Sequence, residues 1–407
     1  MEYGLLGEKL GHSYSPIIHS RLGDYDYLTY EKKPEELADF LENGSFSGLN
    51  VTIPYKKAVI PYCAELTPVA EALGAVNTII RRPDGSLLGH NTDYYGFEAM
   101  LAKSGLQVAG KKVLVLGSGG ASNTVVAVLT AKGAQVVVIS RSGENNYENL
   151  HLHADAAVII NTTPVGMYPH TDASPVDLQL FPQLEGVLDL IYNPARTRLL
   201  QAAEDRGLVA ENGLWMLVAQ AKEASQWFTG KEIPDEKIPE IYRELRQAEE
   251  NIILIGMPGC GKTTIGKLLA EKTGKVFVDA DALIPELAGK SIEAVFAEDG
   301  EAVFRQYETK ALAHLSKEAE IVLATGGGCV VTPENRAILR QNGRIFCLQR
   351  NLDALAVEGR PLSQGRGVEA LYQVRKPLYE AFADHFVDNN GAPVDTVAEI
   401  LKIWEEM

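Results

Sequence analysis

Short apolar runs recur along this chain, each ending at a glycine-rich or polar corner and followed by a helical stretch. The clearest are Val113-Leu114-Val115-Leu116 and Ile252-Ile253-Leu254-Ile255. Uninterrupted runs of this length predict strands buried on both faces, as in a parallel sheet covered by helices. Around the first run, Lys112–Leu116, Gln135–Ile139, Ala156–Ile160 and Gly186–Ile191 predict strands and Thr124–Ala131 a helix. Residues 1 to about 100 alternate too, with strands expected at Tyr3–Leu6, Gly48–Val51, Asn77–Ile80 and Leu87–Gly89. Leu214–Phe228 reads as one amphipathic helix able to fold back on this first domain. Lys231–Ile238, rich in Pro and charge, predicts a loop, and Pro239–Ala248 a charged helix. A second set of elements then starts at Ile252, with the boundary expected near residues 246–251.

With 407 residues the chain exceeds what one core usually serves, so several domains are expected. The formal charge of −16 argues against nucleic acid as a partner but leaves room for small anions met by local clusters. No apolar stretch is long enough to span a membrane and no signal peptide is expected, which points to the cytoplasm. Cys63, Cys260, Cys329 and Cys347 share no metal-like spacing, so reduced thiols are expected. His151 and His153 have no third ligand near them in sequence and predict no metal site.

The chemistry lies at the ends of the two apolar runs. Gly117-Ser118-Gly119-Gly120-Ala121-Ser122 follows the first, in the manner of a dinucleotide-binding loop whose backbone N–H groups meet a pyrophosphate at a helix N-terminus. Gly256-Met257-Pro258-Gly259-Cys260-Gly261-Lys262-Thr263 follows the second and has the Walker A pattern, with Lys for the outer phosphates and Thr for magnesium. One chain carrying both loops should perform one redox and one phosphoryl-transfer reaction. The second strand of the redox half ends in Ser140-Arg141-Ser142, without the carboxylate that would bind a ribose 2′-hydroxyl. Arg141 instead suits a 2′-phosphate, so NADP(H) is expected over NAD.

Short polar groups gather at other corners of residues 1–100: Gly11-His-Ser13-Tyr-Ser15-Pro, Gly48-Leu-Asn50-Val-Thr52-Ile-Pro-Tyr-Lys56, Gly74-Ala-Val-Asn77-Thr and Asn91-Thr-Asp93. With Asn212-Gly213-Leu214-Trp215 through Gln220, this set resembles shikimate dehydrogenase over residues 1 to about 240. That family reduces 3-dehydroshikimate to shikimate with NADPH. The resemblance implies Lys56 and Asp93 as the catalytic pair and Ser13, Ser15, Asn50, Thr52, Asn77, Tyr192 and Gln220 as the substrate lining. It implies cofactor contacts at Gly117, Ser118, Gly119, Gly120, Ala121, Ser140, Arg141, Ser142, Leu190 and Gly213.

Behind the Walker loop come Val278-Asp279-Ala-Asp281, Phe304-Arg305-Gln-Tyr-Glu308, Ala324-Thr-Gly-Gly327-Gly, Gly359-Arg360-Pro-Leu and Val374-Arg375-Lys-Pro-Leu-Tyr. In this order they resemble shikimate kinase over residues 251 to about 390. The resemblance implies ATP held by Gly259, Cys260, Gly261, Lys262, Thr263 and Thr264, with Mg2+ on Thr263 and, through water, Asp279. Asp281 would accept the hydrogen bond of the substrate hydroxyl, while Arg305, Arg375 and the Gly327 backbone would hold shikimate. Arg360 would steady the phosphoryl group in transit from a lid that is short for the family.

The fold class expected is therefore α/β. It comprises a split substrate domain (1–100 with helix 214–240), a Rossmann domain (101–213), a linker (241–251) and a P-loop kinase domain with a parallel sheet (252–407). The partners expected are the small molecules 3-dehydroshikimate and shikimate. A quinate or polyol dehydrogenase fused to a kinase is one alternative, against which Ser15 and Arg141 speak. A non-catalytic shikimate sensor is another, against which the intact Lys56, Asp93, Lys262, Thr263 and Asp281 speak.

Overall fold

The computed structural model describes residues 2–11, 13–355 and 367–405. Its packing divides the chain into two compact units, Met1–Glu244 and Leu245–Met407.

The first unit holds two sheets. One is built from β1 (Glu2–Gly7), β2 (Asp26–Glu31), β3 (Gly48–Val51), β4 (Glu65–Leu66), β5 (Thr78–Arg81) and β6 (Leu87–His90), in the order β2-β1-β3-β5-β6-β4. Parallel pairing of β1 with β2 and β3 gives way to antiparallel pairing at β3–β5 and β5–β6. Two of these strands, β2 and β4, are not expected from sequence. β2 is an edge strand with most of its positions exposed, and β4 is two residues long, so neither carries an apolar run.

The second sheet contains β7 (Lys112–Leu116), β8 (Gln135–Ile139), β9 (Val158–Asn161), β10 (Gly186–Asp189) and β11 (Val209–Asn212), all parallel, in the order β11-β10-β9-β7-β8. Val113 and Val115 of β7 enter one core, and Leu114 and Leu116 enter the core on the opposite face. All four are fully buried, each contributing roughly 1.5–3 kcal/mol of apolar transfer. The chain order reverses direction beside β7, so the glycine loop opens at the crevice where open α/β sheets take their ligands. The helix after that loop starts at Gly120, earlier than the Thr124 start expected, because its first turn is the phosphate loop itself.

The amphipathic helix expected near its C-terminal end spans Leu214–Thr229. It lies against helix Asp93–Ser104 so closely that a Cβ on Gly96 would sit 2.7 Å from the Met216 carbonyl oxygen. Its far end closes the first sheet. The Tyr3 hydroxyl donates to the Phe228 carbonyl at 2.7 Å, and the two rings stack at 4.7 Å. A helix at Lys237–Glu249 follows, two residues longer at its start than expected, with Ile238, Ile241 and Leu245 buried on one face.

The second unit carries one parallel sheet of β12 (Asn251–Ile255), β13 (Val276–Asp279), β14 (Ile321–Ala324), β15 (Gly343–Gln349) and β16 (His385–Asp388), ordered β13-β14-β12-β15-β16. β12 is central and at most 1% exposed from Ile252 to Ile255. Its C-terminal end delivers the Walker loop into helix Lys262–Thr273.

Candidate active sites

In the first unit, Lys56 follows β3 and Asp93 opens the helix after β6. Their side chains meet with Nζ 2.6 Å from Oδ2, and they are 29% and 16% exposed. Asp93 sits in the first helical turn, where the helix dipole favours its charge, and its N–H is held by Asn91 Oδ1 at 3.1 Å. A mobile ammonium is thus kept at one corner by a carboxylate that is itself fixed.

Around this pair the sheet register assembles a polar floor. Asn50 of β3 stands opposite Thr78 of β5, and Asn50 Nδ2 reaches Thr78 Oγ1 at 3.3 Å. Asn77 Oδ1 accepts the Thr92 N–H at 2.7 Å, and the Thr92 hydroxyl donates to Gln220 Oε1 at 3.3 Å. The close helix contact at Gly96 is what brings Gln220 to this floor. Ser15 is buried at the start of its helix, and its N–H is taken by Ser13 Oγ at 3.2 Å. Thr52 continues from β3 with its N–H on the Leu6 carbonyl at 2.9 Å. Half-buried Tyr192, just beyond β10, comes within 5.4 Å of the Tyr14 ring, and burial raises its phenol pKa.

The dinucleotide loop fits its ligand in shape. Gly117 has φ +104°, and Cβ atoms on Gly119 or Gly120 would project into open space above the helix start, leaving room for a pyrophosphate to approach the backbone. Ser118 and Ala121 are exposed on the same rim. Arg141 and Ser142 are exposed beyond β8, and Arg141 makes no hydrogen bond or ion pair among the described residues. Ser140 donates its N–H to the Asn145 carbonyl at 3.1 Å. Gly213 lies against the Leu190 carbonyl, where a side chain has no room. Sequence reasoning misses Asp189, fully buried beside Leu190. It accepts from Asn161 Nδ2 (2.9 Å), the Ile191 N–H (3.1 Å) and the Thr197 hydroxyl (2.7 Å). Burial pushes its carboxyl up to about 6.

In the second unit the Walker loop uses left-handed backbone at Gly259 and Gly261, and Lys262 Nζ lies 2.9 Å from the Gly256 carbonyl. Cys260 is buried, with its carbonyl capped by Asn389 Nδ2 at 2.6 Å, while Thr264 is exposed. Thr263 Oγ1 and Asp279 Oδ2 stand 3.5 Å apart, a pair of hard oxygen donors suited to Mg2+. Among the described residues no cluster of three or more His, Cys, Asp or Glu could hold a metal ion.

The turn Gly326–Gly328 gathers the rest. A Cβ on Gly326 would lie 2.8 Å from both Asp281 Oδ1 and Glu308 Oε1, and one on Gly327 would meet Pro258 of the Walker loop at 2.7 Å. One on Gly328 would collide with the Arg305 guanidinium. Arg305 donates to Glu308 Oε2 at 2.8 Å and to Glu301 Oε1 at 3.0 Å. Arg375, 4% exposed, donates to the Gly327 carbonyl at 3.0 Å, an oxygen shared with the Tyr379 hydroxyl at 2.6 Å. Asp281 Oδ1 and Glu308 Oε1 are buried without a partner among the described residues, and desolvation raises both carboxyl pKa values. Glu308 is a second residue that sequence reasoning misses. Arg360 lies outside the described residues.

Known proteins agree with both halves. The substrate-binding domain of shikimate dehydrogenase matches residues 5–79, and shikimate kinase matches residues 258–405. The shikimate dehydrogenase (NADP(+)) of Clostridium perfringens SM101 is 36% identical over 267 residues, covering 60% of this chain and 98% of that protein. A chorismate mutase/shikimate 5-dehydrogenase fusion from Clostridium acetobutylicum superposes with a TM-score of 0.58 at 37% identity, over 60% of this chain and 97% of that one. The shikimate 5-dehydrogenase of Thermus thermophilus, solved with NADP(H) and shikimate, gives a TM-score of 0.55 at 31% identity, over 60% of this chain and 99% of that one. No described helix is long and apolar enough to cross a membrane.

Proposed function

We propose, from the premise that this chain belongs to the shikimate dehydrogenase family and ends in a shikimate kinase domain, that Lys56 and Asp93 carry its reduction and Asp281 its phosphorylation. The protein is a bifunctional enzyme of the shikimate pathway, an NADP-dependent dehydrogenase and an ATP-dependent kinase. The observation that carries the residue assignment is the 2.6 Å Lys56–Asp93 pair set in the polar floor of Asn50, Asn77, Thr92 and Gln220.

NADPH would be held by Gly117–Ala121 and, at its 2′-phosphate, by Arg141, and would supply the hydride. Lys56 Nζ then gives its proton to the ketone oxygen as negative charge develops there, and Asp93 holds the ammonium in line for that transfer. Ser13, Ser15, Asn50, Thr52, Asn77, Tyr192 and Gln220 orient the hydroxyls and carboxylate of 3-dehydroshikimate.

In the kinase half, the backbone of Gly259–Thr264 and the Lys262 ammonium cradle the phosphates of ATP. Thr263 and, through water, Asp279 would hold Mg2+, whose charge would offset that of the phosphates. Unpartnered Asp281 Oδ1 accepts the hydrogen bond of the attacking hydroxyl, and Arg305 and Arg375 grip the shikimate carboxylate. Glu308 keeps the Arg305 guanidinium turned toward the glycine turn. The remaining role, offsetting charge on the transferring group, is assigned to Arg360. Four free cysteines suit the cytoplasm, where NADPH and ATP are at hand.

The test is to supply purified protein with 3-dehydroshikimate, NADPH, ATP and Mg2+ and to follow shikimate and its phosphate by mass. Lys56→Ala should slow reduction by roughly 10²–10⁴-fold, the scale of a lost general acid, and leave phosphorylation of added shikimate unchanged. Reduction within a few-fold of the parent would remove Lys56 from this role.

A further inference from the structure

Next to the dehydrogenase substrate floor lies a second layer of polar aromatic residues, half-buried at Tyr25 and Tyr27 and fully buried at His19. His19 is fully buried, and its ring stacks on Tyr27 with centroids 3.9 Å apart and planes 9° from parallel. His19 Nδ1 is 2.7 Å from the Tyr25 hydroxyl, which donates to Ser225 Oγ at 2.8 Å. His19 Nε2 is buried and has no hydrogen-bond partner among the described residues. The Tyr27 hydroxyl itself donates to Asn50 Oδ1 at 2.7 Å, with Ser15 alongside.

Packing explains the Tyr27 ring but not its hydroxyl. Phenylalanine would stack on His19 equally well and would spare the desolvation of a phenol. The hydroxyl's evident use is its bond to Asn50. Burial holds the Tyr27 phenol well above its usual pKa, so it remains a donor, and burial drives His19 to about 3, so the ring beneath stays neutral. With Oδ1 occupied by Tyr27 and one Nδ2 hydrogen directed at Thr78 Oγ1, Asn50 has one N–H left.

We propose that Tyr27 is a positioning residue for the dehydrogenase: its hydroxyl locks the Asn50 amide so that nitrogen, not oxygen, faces the ligand and donates to an oxygen of the polyhydroxylated substrate. The proposal rests on the reading that Asn50 lines the substrate site. In this role Tyr27 acts through Asn50, the residue to which its hydroxyl donates.

The test is a double-mutant cycle in the full chain, read as KM and kcat for NADP+-dependent oxidation of shikimate. Asn50→Ala tests the underlying reading and should raise the KM for shikimate by about 10-fold or more. Tyr27→Phe should raise it by about 10-fold, with kcat and the KM for NADP+ changed less than about two-fold. In the Asn50→Ala background Tyr27→Phe should add less than about two-fold, because its route is gone. An unchanged KM in Tyr27→Phe, or the same fold effect in both backgrounds, overturns the proposal. An unchanged KM in Asn50→Ala instead overturns the reading of Asn50. Should Tyr27→Phe fail to fold, as judged by thermal melting and NADP+ binding, Asn50→Asp carries the test. It keeps an oxygen for Tyr27 but loses the donor, so an unchanged KM for shikimate there also sinks the idea.

Discussion

Adding one methyl group at Gly326 should silence the kinase while leaving its nucleotide pocket intact. The new Cβ would arrive 2.8 Å from Asp281 Oδ1 and from Glu308 Oε1. A carbon needs about 3.5 Å from its neighbours, so both carboxylates must withdraw by several tenths of an ångström. Glu308 has little freedom to do so, being 1% exposed and held through its other oxygen by Arg305. The strain therefore falls on Asp281 and on the space where the attacking hydroxyl must sit. A misplacement approaching 1 Å at a reacting centre costs on the order of 10²-fold in rate. Gly326→Ala should accordingly lower kcat/KM for shikimate by about 100-fold, with ATP affinity by calorimetry and NADPH-dependent reduction both within about two-fold of the parent. Overpacking could also lower stability by about 1–3 kcal/mol, which a thermal melt of the same sample reports. Phosphorylation within about three-fold of the parent would refute the assignment of this turn as the wall of the shikimate site.

Arg141→Ala should weaken NADPH by about 10-fold or more and barely alter NADH, since only the 2′-phosphate loses a charge-assisted contact; equal loss for both in steady-state assays would place that phosphate elsewhere. Lys262→Ala should abolish ADP formation with shikimate yet leave reduction of 3-dehydroshikimate at the parental rate, because no reduction residue belongs to the second unit. Asp189 bears on stability. Its folded-state carboxyl, held up at about 6, lies above the unfolded value of about 3.9, so the folded chain binds the extra proton between those values. Stability from this group is therefore present at low pH and is lost as pH rises from about 4 to 6. The melting temperature of Asp189→Asn minus that of the parent should climb over this range, and a flat difference would show that Asp189 is ionised without penalty.

How far these features could be read in the sequence depends on where their partners lie. β7 and β12 are legible because both faces of each strand are buried, so apolar content alone marks them. β2, Asp-Tyr-Leu-Thr-Tyr-Glu, is not, since an exposed edge strand carries no such run and leaves Leu28 44% exposed. Lys56 and Asp93 stand out through the motifs around them, and the structure brings their side chains together. Glu308 escapes notice because a Glu three residues after an Arg looks like a solvated helix pair. Only the approach of Gly326 from the end of β14 buries it. Asp189 is hidden in the same way. Its partner Asn161 stands opposite it on the neighbouring parallel strand, a pairing that no local pattern announces.

The Tyr3–Phe228 contact also bears on how the protein is made. The two residues are 225 positions apart, yet Tyr3, Ala224 and Phe228 form one small core. At roughly 5–20 residues per second on a ribosome, β1 must wait on the order of 10–45 seconds for the helix that covers it. The second unit is contiguous from Leu245 and follows that helix in the chain. A nascent chain arrested before Ala224 should thus display the Tyr3 side of its first sheet uncovered, as a client surface for chaperones. One arrested beyond Thr229, with that helix clear of the exit tunnel, should hide it, so the dehydrogenase half can mature while the kinase is still being translated.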